Sequence, residues 1–598
     1  MCIHQENGDT NNALQFIEDV TSRCNEVQSR VLAEILSQNS EVEYLKRYGL
    51  PKGCVDRETF KSKVPVAMYE DLKPDIQRVV NGDFSPILCA RPFSQLFSSS
   101  GTSGGEPNLI PATDQEIPRR HQQYKVLLPL VSQCFQGLEN GKVLSFLFIR
   151  DETKTQGGLM AVGCLTSYNK SLYDLGNTPC DPYNNFTGPK EAILCLDNFQ
   201  SIYTQLLCGF YQRNEVVRVD AHFASTLVVV IHFLRDHYSE LCDDISSGTL
   251  STKISDTGLR AHMVEHVVKR PEPELAKLVY NACKGENWEG ILKKIWPNIK
   301  YLDVIVTGSM AQYIPVLNHY SGGVPIVSLK YTCSEGAFGI NLNPLCDPYE
   351  VSYTLIPNMA YFEFLPLNTS SSDNEQSLDN EQSSDQLVDL ADVKVGHEYE
   401  LVVTTYDGLY RLRVEDVLSP TGFYNSAPQF KFVRRNNVLL SVHAEKTTES
   451  ELQNAMEKVY DVLQNFGTIR VVDYTSYADV KTIPGHYVIY CELSTTTSDA
   501  TTKLGLDDVM EKCCLTIENS MSYVYRYYRV HNPAIGPLEI RVVKKGTFDK
   551  MRDFAISRGA SLGQYKVPRC VKFIPLLELL NHGVISTHFS PSLPQCSL

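Results

Sequence analysis

Long hydrophobic runs are missing from this chain of 598 residues. The most apolar stretches are LSFLFI at 144–149 and TLVVVI at 226–231, whereas a membrane-spanning helix needs about 20 consecutive apolar residues. The N-terminal sequence MCIHQENGDTNN has neither the basic start nor the apolar core of a secretory signal. We therefore expect a soluble cytoplasmic protein without a membrane partner.

Positive charge is in short supply. The chain has 55 Lys and Arg against 70 Asp and Glu, a formal net charge of −15 and a pI of about 5.5. Nucleic acids and acidic membrane surfaces attract clustered Lys and Arg, so this balance disfavours both as general partners.

Cysteine motifs that bind zinc are also lacking. There are 18 cysteines, but Cys513 and Cys514 form an adjacent pair without a CxxC partner, which gives no zinc motif. Without a secretory signal, the cysteines are better interpreted as reduced thiols than as a disulfide framework.

The apolar pattern is that of a large α/β protein. With 43% hydrophobic residues the chain can bury several cores. Apolar residues at three- and four-residue steps predict helices over 13–38 and 114–130. Strands are predicted at 143–149, 303–307, 324–329 and 400–405, separated by helix-like segments, which favours an α/β sheet.

Two changes in composition divide the chain. Residues 368–387 are polar and acidic and contain the near-repeat DNEQS, which predicts a disordered surface insertion. A polar segment near Arg434 precedes an α+β pattern, with helices at 449–465, 505–528 and 546–558 and strands at 485–493 and 538–543. We predict domains at 1–434 and 435–598, the second of a typical domain size.

A loop rich in glycine and hydroxyl groups lies at 97–111, reading FSSSGTSGGEPNLIP. Glycines let successive N–H groups approach an anion, and Ser and Thr hydroxyls add further hydrogen bonds. No lysine follows as in GxxxxGK[ST], so it is not a nucleotide-hydrolase P-loop. It is either a phosphate-binding loop or an ordinary flexible Gly/Ser segment.

Two other segments carry candidate nucleotide chemistry. KYTCSEGAFGINL at 330–342 presents Glu335, a carboxylate that could support Mg²⁺ on a polyphosphate; read alone, the segment is a surface turn. TTYDGLYRLRVEDVL at 404–418 contains Asp416, which could accept both ribose hydroxyls, and Arg411 and Arg413, which could neutralise phosphate. Together with the glycine loop, they indicate a nucleotide plus a metal.

These motifs resemble those of a known family. SSGTSGGE at 99–106, YTCSE at 331–335 and LRVED at 412–416 are similar to the three nucleotide motifs of the Gretchen Hagen three family, the plant acyl-acid amido synthetases. The resemblance covers nearly the whole chain. It extends through YEDLKPDIQRVVNGD at 69–83, VIVTGSMAQYIP at 304–315, NMAYFEFLP at 358–366, APQFKFVRR at 427–435, TSYAD at 475–479, IPGHYV at 483–488 and QYKVPR at 564–569.

The resemblance implies an acyl-adenylate-forming fold, related to firefly luciferase, with a large N-terminal domain and a smaller mobile α+β C-terminal domain. It implies that a carboxylic acid and Mg-ATP give an acyl-adenylate, which an amino acid converts to an amide and AMP. The expected acids are of the indole-3-acetic acid, jasmonate or benzoate type. A monomer is expected.

The resemblance also implies site residues, each a position that matches the family pattern. ATP would be held by Ser99, Ser100, Thr102, Tyr331, Glu335 and Asp416. Glu335 would support Mg²⁺, and Lys446 and Lys566 of the C-terminal domain would reach the phosphates as catalytic residues. The acid would contact Arg120, Tyr124, Leu130, Thr332 and Ala337, with the arginine toward its carboxylate.

The chain departs from the family pattern at several positions. The family usually has lysine at Asn108, alanine or glycine at Thr332, serine at Cys333 and glycine at Glu415. Members that act on indole-3-acetic acid are expected to have an aromatic residue at Ala337, so benzoate and jasmonate acids become alternatives here. A carboxylate at Glu415 that pointed at the polyphosphate would repel it by roughly 4 kcal/mol, whereas in solvent it would matter little.

These departures leave two other functions open. The first is a catalytically weakened paralogue that binds the acid or nucleotide without turnover. The second is acyl-CoA or luciferase-like chemistry, which shares the adenylation step and differs in its acceptor.

Overall fold

The computed structural model describes 6–98, 108–174, 185–367, 387–435, 438–440, 442, 447–465, 469–479, 481–482, 484–495, 503–522, 525–526, 529–530, 535–563 and 565–595. The chain forms two compact units. The larger contains 6–98, 108–432 and 561–563, and the smaller contains the remaining described residues. The predicted acidic insertion at 368–387 and most of the glycine loop lie outside the described residues.

Fifteen described α-helices belong to the larger unit. They are α1 (Glu6–Ser22), α2 (Cys24–Gln38), α3 (Glu43–Arg47), α4 (Arg57–Lys63), α5 (Tyr69–Val80), α6 (Glu116–Lys125), α7 (Leu127–Ser132), α8 (Cys164–Asp174), α9 (Lys190–Ile193), α10 (Asn198–Tyr211), α11 (Ala224–Ser247), α12 (Thr257–His262), α13 (Pro273–Cys283), α14 (Ile291–Ile295) and α15 (Ile314–Ser321). A π-turn spans Met263–Val267, and 3-10 turns span Gly308–Tyr313 and Leu390–Asp392.

The prediction of one helix over 13–38 is wrong. The chain leaves helical geometry at Arg23, between α1 and α2. The cause is tertiary, because the Cys24 N–H donates to the Ser426 hydroxyl (3.1 Å) instead of continuing the helix. The helix predicted over 114–130 is likewise two helices, α6 and α7, which meet at Val126.

The largest sheet among the described residues has eight strands. In chain order they are β9 (Lys330–Thr332), β10 (Ala337–Ile340), β11 (Tyr353–Leu355), β12 (Tyr361–Leu367), β13 (Val388–Asp389), β14 (Glu398–Thr404), β15 (Leu412–Tyr424) and β16 (Ala427–Arg435). Their order across the sheet is β13-β12-β14-β15-β16-β11-β10-β9. The sheet therefore brings the segment with Glu335 and the segment with Asp416 into one layer.

Two further sheets in the larger unit have four strands each. The first, in the order β2-β1-β5-β4, consists of β1 (Phe93–Ser98), β2 (Leu109–Thr113), β4 (Thr153–Lys154) and β5 (Met160–Gly163). The second is parallel, in the order β3-β6-β7-β8, and consists of β3 (Lys142–Phe146), β6 (Val216–Phe223), β7 (Tyr301–Ile305) and β8 (Ile326–Val327). Strands predicted at 143–149, 303–307, 324–329 and 400–405 are confirmed as β3, β7, β8 and β14 with shifted ends.

The smaller unit is an α+β layer. Its sheet, in the order β19-β20-β21-β22, consists of β19 (Ile469–Asp479), β20 (His486–Thr495), β21 (Glu539–Val543) and β22 (Val584–Phe589). Its described helices are α16 (Glu449–Asn465), α17 (Lys503–Ser520), α18 (Thr547–Ser557) and α19 (Ile574–Gly583), and a short ribbon pairs β17 (Val438–Leu440) with β18 (Thr447–Thr448). Apolar side chains of α16 and α17 and of the strands β20 and β21 form the core of this unit: Met456, Val459, Cys514, Ile517, Ile489 and Ile540.

Among the helices described above, none combines the length and the apolar character required to cross a bilayer.

Candidate functional site

A hairpin at the edge of the large sheet carries Glu335. Thr332 on β9 lies opposite Ala337 on β10, and the Cys333 N–H donates to the Gly336 carbonyl (2.9 Å) to close the turn between them. The turn projects Glu335 from a rigid pair of strands. The segment 330–342, which by itself predicts a surface turn, is therefore anchored within the sheet.

Asp416 lies in a bulge of β15. Glu400 on β14 pairs with Val417, whereas Val402 pairs with Arg413, so two steps along β14 span four along β15. Bulges of this kind re-aim side chains near functional sites. Here the bulge leaves Asp416 buried, at 3% exposure.

Tyr331 joins the two segments. Its hydroxyl donates to Asp416 Oδ2 at 2.7 Å, and both side chains are buried. The Tyr331 ring also stacks on Tyr353, with ring centroids 5.8 Å apart. Two of the three predicted nucleotide motifs, separated in sequence by some eighty residues, therefore meet through one hydrogen bond.

The carboxylates of Glu335 and Asp416 act on the same thiol. Burial, and after it the charges of Glu335 and Asp416, raise the pKa of Cys333 well above its usual value. The two carboxylates therefore belong to one electrostatic site, and Cys333 is held as a neutral thiol.

One carboxylate oxygen of Glu335 is available to a metal ion. Its Oε2 atom is buried and has no hydrogen-bond partner among the residues that the structure describes. Within the same residues no cluster of three or more His, Cys, Asp or Glu could hold a metal alone. Mg²⁺ commonly binds through one or two protein carboxylates together with substrate phosphates, so a lone acceptor of this kind fits that ion.

Arg120 on α6 holds the turn that carries Glu335. Its guanidinium donates to Glu116 Oε1 (2.8 Å), to the Cys333 carbonyl (2.9 Å) and to the Ser334 carbonyl (2.8 Å). The side chain is buried and pairs with Glu116 one helical turn away. The resemblance assigned Arg120 to the carboxylate of the acid; in this structure the guanidinium is committed to the turn that carries Glu335.

Arg411 and Arg413 do not face an open site. Arg411 forms a two-pronged ion pair with Glu363 (2.9 and 3.0 Å), with both side chains 1% exposed. Arg413 forms a similar pair with Glu400 (2.8 and 2.6 Å). The hypothesis that they neutralise phosphate is therefore replaced by a structural role beside the Asp416 bulge.

Glu415 has a left-handed backbone, with φ of +64°. Glycine adopts this geometry freely, whereas a side chain makes it costly, which is a physical reason for the glycine that the family pattern of the sequence resemblance has at this position. The pKa of Arg413 is raised by its hydrogen-bonded partner Glu400 and also by Glu415, so Glu415 lies close to a cation. The charge of Arg413 therefore reduces the predicted repulsion between Glu415 and a polyphosphate.

The aromatic part of the predicted acid site lies on α6. The Tyr124 ring stacks on Tyr168 of α8, with centroids 4.6 Å apart and planes at 24°. Thr332 is half-buried and Ala337 is buried on the neighbouring hairpin, and Leu130 is buried on α7. The small Ala337 side chain adds no aromatic wall.

Four predicted residues lie outside the described residues: Ser99, Ser100, Thr102 and Lys446. Their roles stay predictions. Lys566 lies in the smaller unit and is half-buried. At the last described residue before Ser99, the Ser98 carbonyl accepts a hydrogen bond from the Arg150 guanidinium (2.8 Å).

Sequence reasoning missed three residues of this region. Glu116 lies four positions before Arg120, and this helical spacing could have indicated the pair. Arg150 and Lys330 carried no local signal, because their partners Ser98 and Asp303 are remote in sequence.

Comparison with known families covers most of the chain. The model described as the GH3 family N-terminal domain matches residues 13–326, that of the GH3 family central domain matches 353–435, and that of the GH3 family C-terminal domain matches 450–574.

Named relatives and a solved structure agree with these matches. The chain is 56% identical over 586 residues to indole-3-acetic acid-amido synthetase GH3.3 of Arabidopsis thaliana, covering 98% of this chain and 96% of that one. It is 52% identical over 581 residues to indole-3-acetic acid-amido synthetase GH3.8 of Oryza sativa subsp. indica, covering 97% and 94%. The solved structure of the GH3.15 acyl acid amido synthetase superposes with a TM-score of 0.88 at 43% identity, covering 98% of both chains.

Proposed function

The chain belongs to the GH3 family, and from this membership and the geometry of the site we propose that it conjugates an amino acid to a carboxylic acid with consumption of ATP. The observation that carries the proposal is the hydrogen bond from Tyr331 to Asp416, with Glu335 on the same hairpin as Tyr331. This hydrogen bond links Asp416, an acceptor for the ribose hydroxyls, to the hairpin of Glu335, a carboxylate suited to a phosphate-bound metal ion.

Two bond exchanges make up the reaction. A carboxylate oxygen of the acid attacks the α-phosphorus of ATP, forming an oxygen–phosphorus bond as pyrophosphate leaves. The amino acid nitrogen then attacks the acyl carbon, forming the amide as the bond to AMP breaks and the amine loses a proton. The adenylate makes a carboxylate reactive by giving it a good leaving group.

The residues of the site have distinct tasks. Asp416 accepts hydrogen bonds from the ribose, and Tyr331 fixes the orientation of that carboxylate. Glu335 would hold Mg²⁺, which when bound neutralises phosphate charge. Arg120 keeps the turn that carries Glu335 in place.

The smaller unit would supply cations. We propose that Lys446 and Lys566 reach the phosphates, where a positive charge stabilises the developing negative charge of the transition state. Both assignments stay predictions, as do those of Ser99, Ser100 and Thr102, the domain boundary at residue 434, a monomeric state and a cytoplasmic location.

The acid is of the small organic type. The relatives GH3.3 and GH3.8 are named for indole-3-acetic acid, and a GH3.15 structure is described in complex with 2,4-DB. We propose indole-3-acetic, jasmonic and benzoic acids as the classes to test first. All three proteins are named as synthetases, so a weakened paralogue finds no support among them.

The test is direct. Purified protein is incubated with ATP, Mg²⁺, each acid and a mixture of amino acids, and the amide and AMP are measured by mass spectrometry. Coenzyme A replaces the amino acids in a parallel arm, which separates amide synthesis from thioester formation. We expect amide and AMP in equal amounts; neither product with any acid would overturn the proposal, and thioester alone would reassign the acceptor.

A further inference from the structure

A half-buried lysine, Lys330, lies against the predicted acid site. Lys330 Nζ is 3.3 Å from Asp303 Oδ2 and 5.2 Å from the centroid of the Tyr124 ring. Its side chain is only 13% exposed. Burial opposes the ammonium charge, but Asp303, Tyr124 and Asp220 outweigh it and raise the pKa of Lys330, so the group is a cation.

A second ion pair lies next to the first. Arg218 Nη2 is 3.1 Å from Asp220 Oδ2, and the Ser145 hydroxyl donates to the other oxygen of Asp220. The two cations, Lys330 and Arg218, are therefore matched by two carboxylates, Asp220 and Asp303. The cluster is balanced in charge without a substrate.

His222 adds a neutral acceptor. Its Nε2 atom is 3.3 Å from Asn169 Oδ1, and the Asn169 amide nitrogen donates to the Phe148 carbonyl (3.1 Å), so His222 Nε2 is the donor and Nδ1 is left as an acceptor. Burial, and after it the charge of Lys330, lower the pKa of His222 to about 3. The ring is neutral at physiological pH.

The His222 end of the cluster lies at the carboxyl edge of the parallel sheet. The first six residues of β6 are buried, but its last two, His222 and Phe223, are half-buried at the carboxyl end of a strand in the parallel sheet. Ligands of open α/β sheets bind at that end. Lys330 has three N–H groups, and among the described residues Asp303 is its hydrogen-bond acceptor.

Resting on the proposed function, we propose that Lys330 determines substrate specificity by donating a hydrogen bond to a hydroxyl or carbonyl oxygen at the end of the acid remote from the reacting carboxylate. A wholly apolar end would leave the ammonium group desolvated and short of acceptors. A second carboxylate would face Asp303 and Asp220, which already balance the cations. A neutral hydroxyl or carbonyl oxygen accepts a hydrogen bond from the ammonium group without adding negative charge. A hydroxyl can also donate to His222 Nδ1.

The experiment compares matched acids. The probes are benzoic acid with its 3- and 4-hydroxyl derivatives, and phenylacetic acid with its 3- and 4-hydroxyl derivatives. ATP–pyrophosphate exchange measures adenylation, and the readout is the ratio of kcat/KM for each hydroxylated acid over its parent. We expect at least one hydroxylated acid to be favoured about tenfold, as one hydrogen bond to a charged donor supports.

Variants then assign the preference to the lysine. Lys330→Met should bring the ratio close to one, mainly by raising KM for the hydroxylated acid. Because that change leaves Asp303 buried without its cation, the double variant Lys330→Met/Asp303→Asn provides a second route with both charges removed. Lys300→Met, at an exposed lysine of the same unit, is the control and should keep the wild-type ratio.

The outcomes separate the two proposals. Exchange with these acids but with no hydroxyl preference, or with a preference that persists in both folded variants, overturns the role of Lys330 and leaves the synthetase proposal intact. Absence of exchange with every acid, including indole-3-acetic and jasmonic acids, overturns the proposed function and this inference with it. Thermal unfolding of each variant shows whether it is folded.

Discussion

The conservative change Arg120→Lys should be severe in this protein. Arg120 donates to three acceptors in different directions: Glu116 and the carbonyls of Cys333 and Ser334. A lysine is a single point donor and cannot span them. We expect it to keep the contact with Glu116 and to lose both carbonyls of the turn that carries Glu335.

The size of the effect follows from those two bonds. A hydrogen bond to a charged group contributes about 1.5–3 kcal/mol, so the loss of two should lower the free energy of unfolding by about 3–6 kcal/mol. The turn is then held less tightly, and a displacement of Glu335 by about 1 Å can lower kcat/KM for Mg-ATP roughly a hundredfold.

Urea unfolding and steady-state kinetics together test this account. The matched control is Arg119→Lys: Arg119 pairs with the same Glu116 (3.2 Å) but contacts neither turn carbonyl, and it should lose about 1 kcal/mol or less. If Arg120→Lys raises KM for the acid alone, with stability and KM for Mg-ATP unchanged, Arg120 binds the carboxylate of the acid and our reasoning is wrong.

Three other changes have defined outcomes. Asp416→Asn should raise KM for ATP about tenfold, by the loss of a charged acceptor for ribose, while the neighbouring change Glu415→Gln should not; equal effects would contradict the assignment. Glu415→Gly should raise the free energy of unfolding by about 0.5–1 kcal/mol in urea titrations, because it relieves the φ of +64°, and a loss of stability would show that the side chain is needed. Burial, and after it Glu116, raise the pKa of Asp407 from 3.8 to about 7, so the native state holds a proton that the unfolded chain releases. Stability should therefore fall as pH rises, by about 2 kcal/mol between pH 5 and 7, and Asp407→Asn should remove this slope; an unchanged slope would assign it to another group.

The repeating patterns of the fold were predictable from the sequence. The helix at 449–465 and the strands at 485–493 and 538–543 are confirmed as α16, β20 and β21, because regular apolar spacing reports a buried face directly. The break at Arg23 was not, since it depends on Ser426, a residue remote in sequence. Family membership and the α/β fold, expected from the three motifs, are confirmed.

Within the site, the types of the functional residues were easier to predict than the directions in which their side chains point. The motifs identified Glu335 and Asp416, but only the hairpin and the bulge show that both act on Cys333. Arg411 and Arg413 looked like phosphate ligands because a sequence does not show that Glu363 and Glu400 lie beside them. The sequence alone does not distinguish a charged residue that forms an ion pair within the fold from one that contacts a ligand.

This ambiguity has a physical resolution at Lys330. Ion pairs that serve the fold alone are saturated, as Arg411 is by Glu363 and by the carbonyls of Lys61 and Val64. Lys330 differs, because its one described hydrogen bond is long, at 3.3 Å, and its remaining donors lie beside Tyr124 at the edge of the predicted acid site. A buried cation left short of acceptors is costly to stability unless a ligand supplies one, so the cost is best explained by selection of the acid.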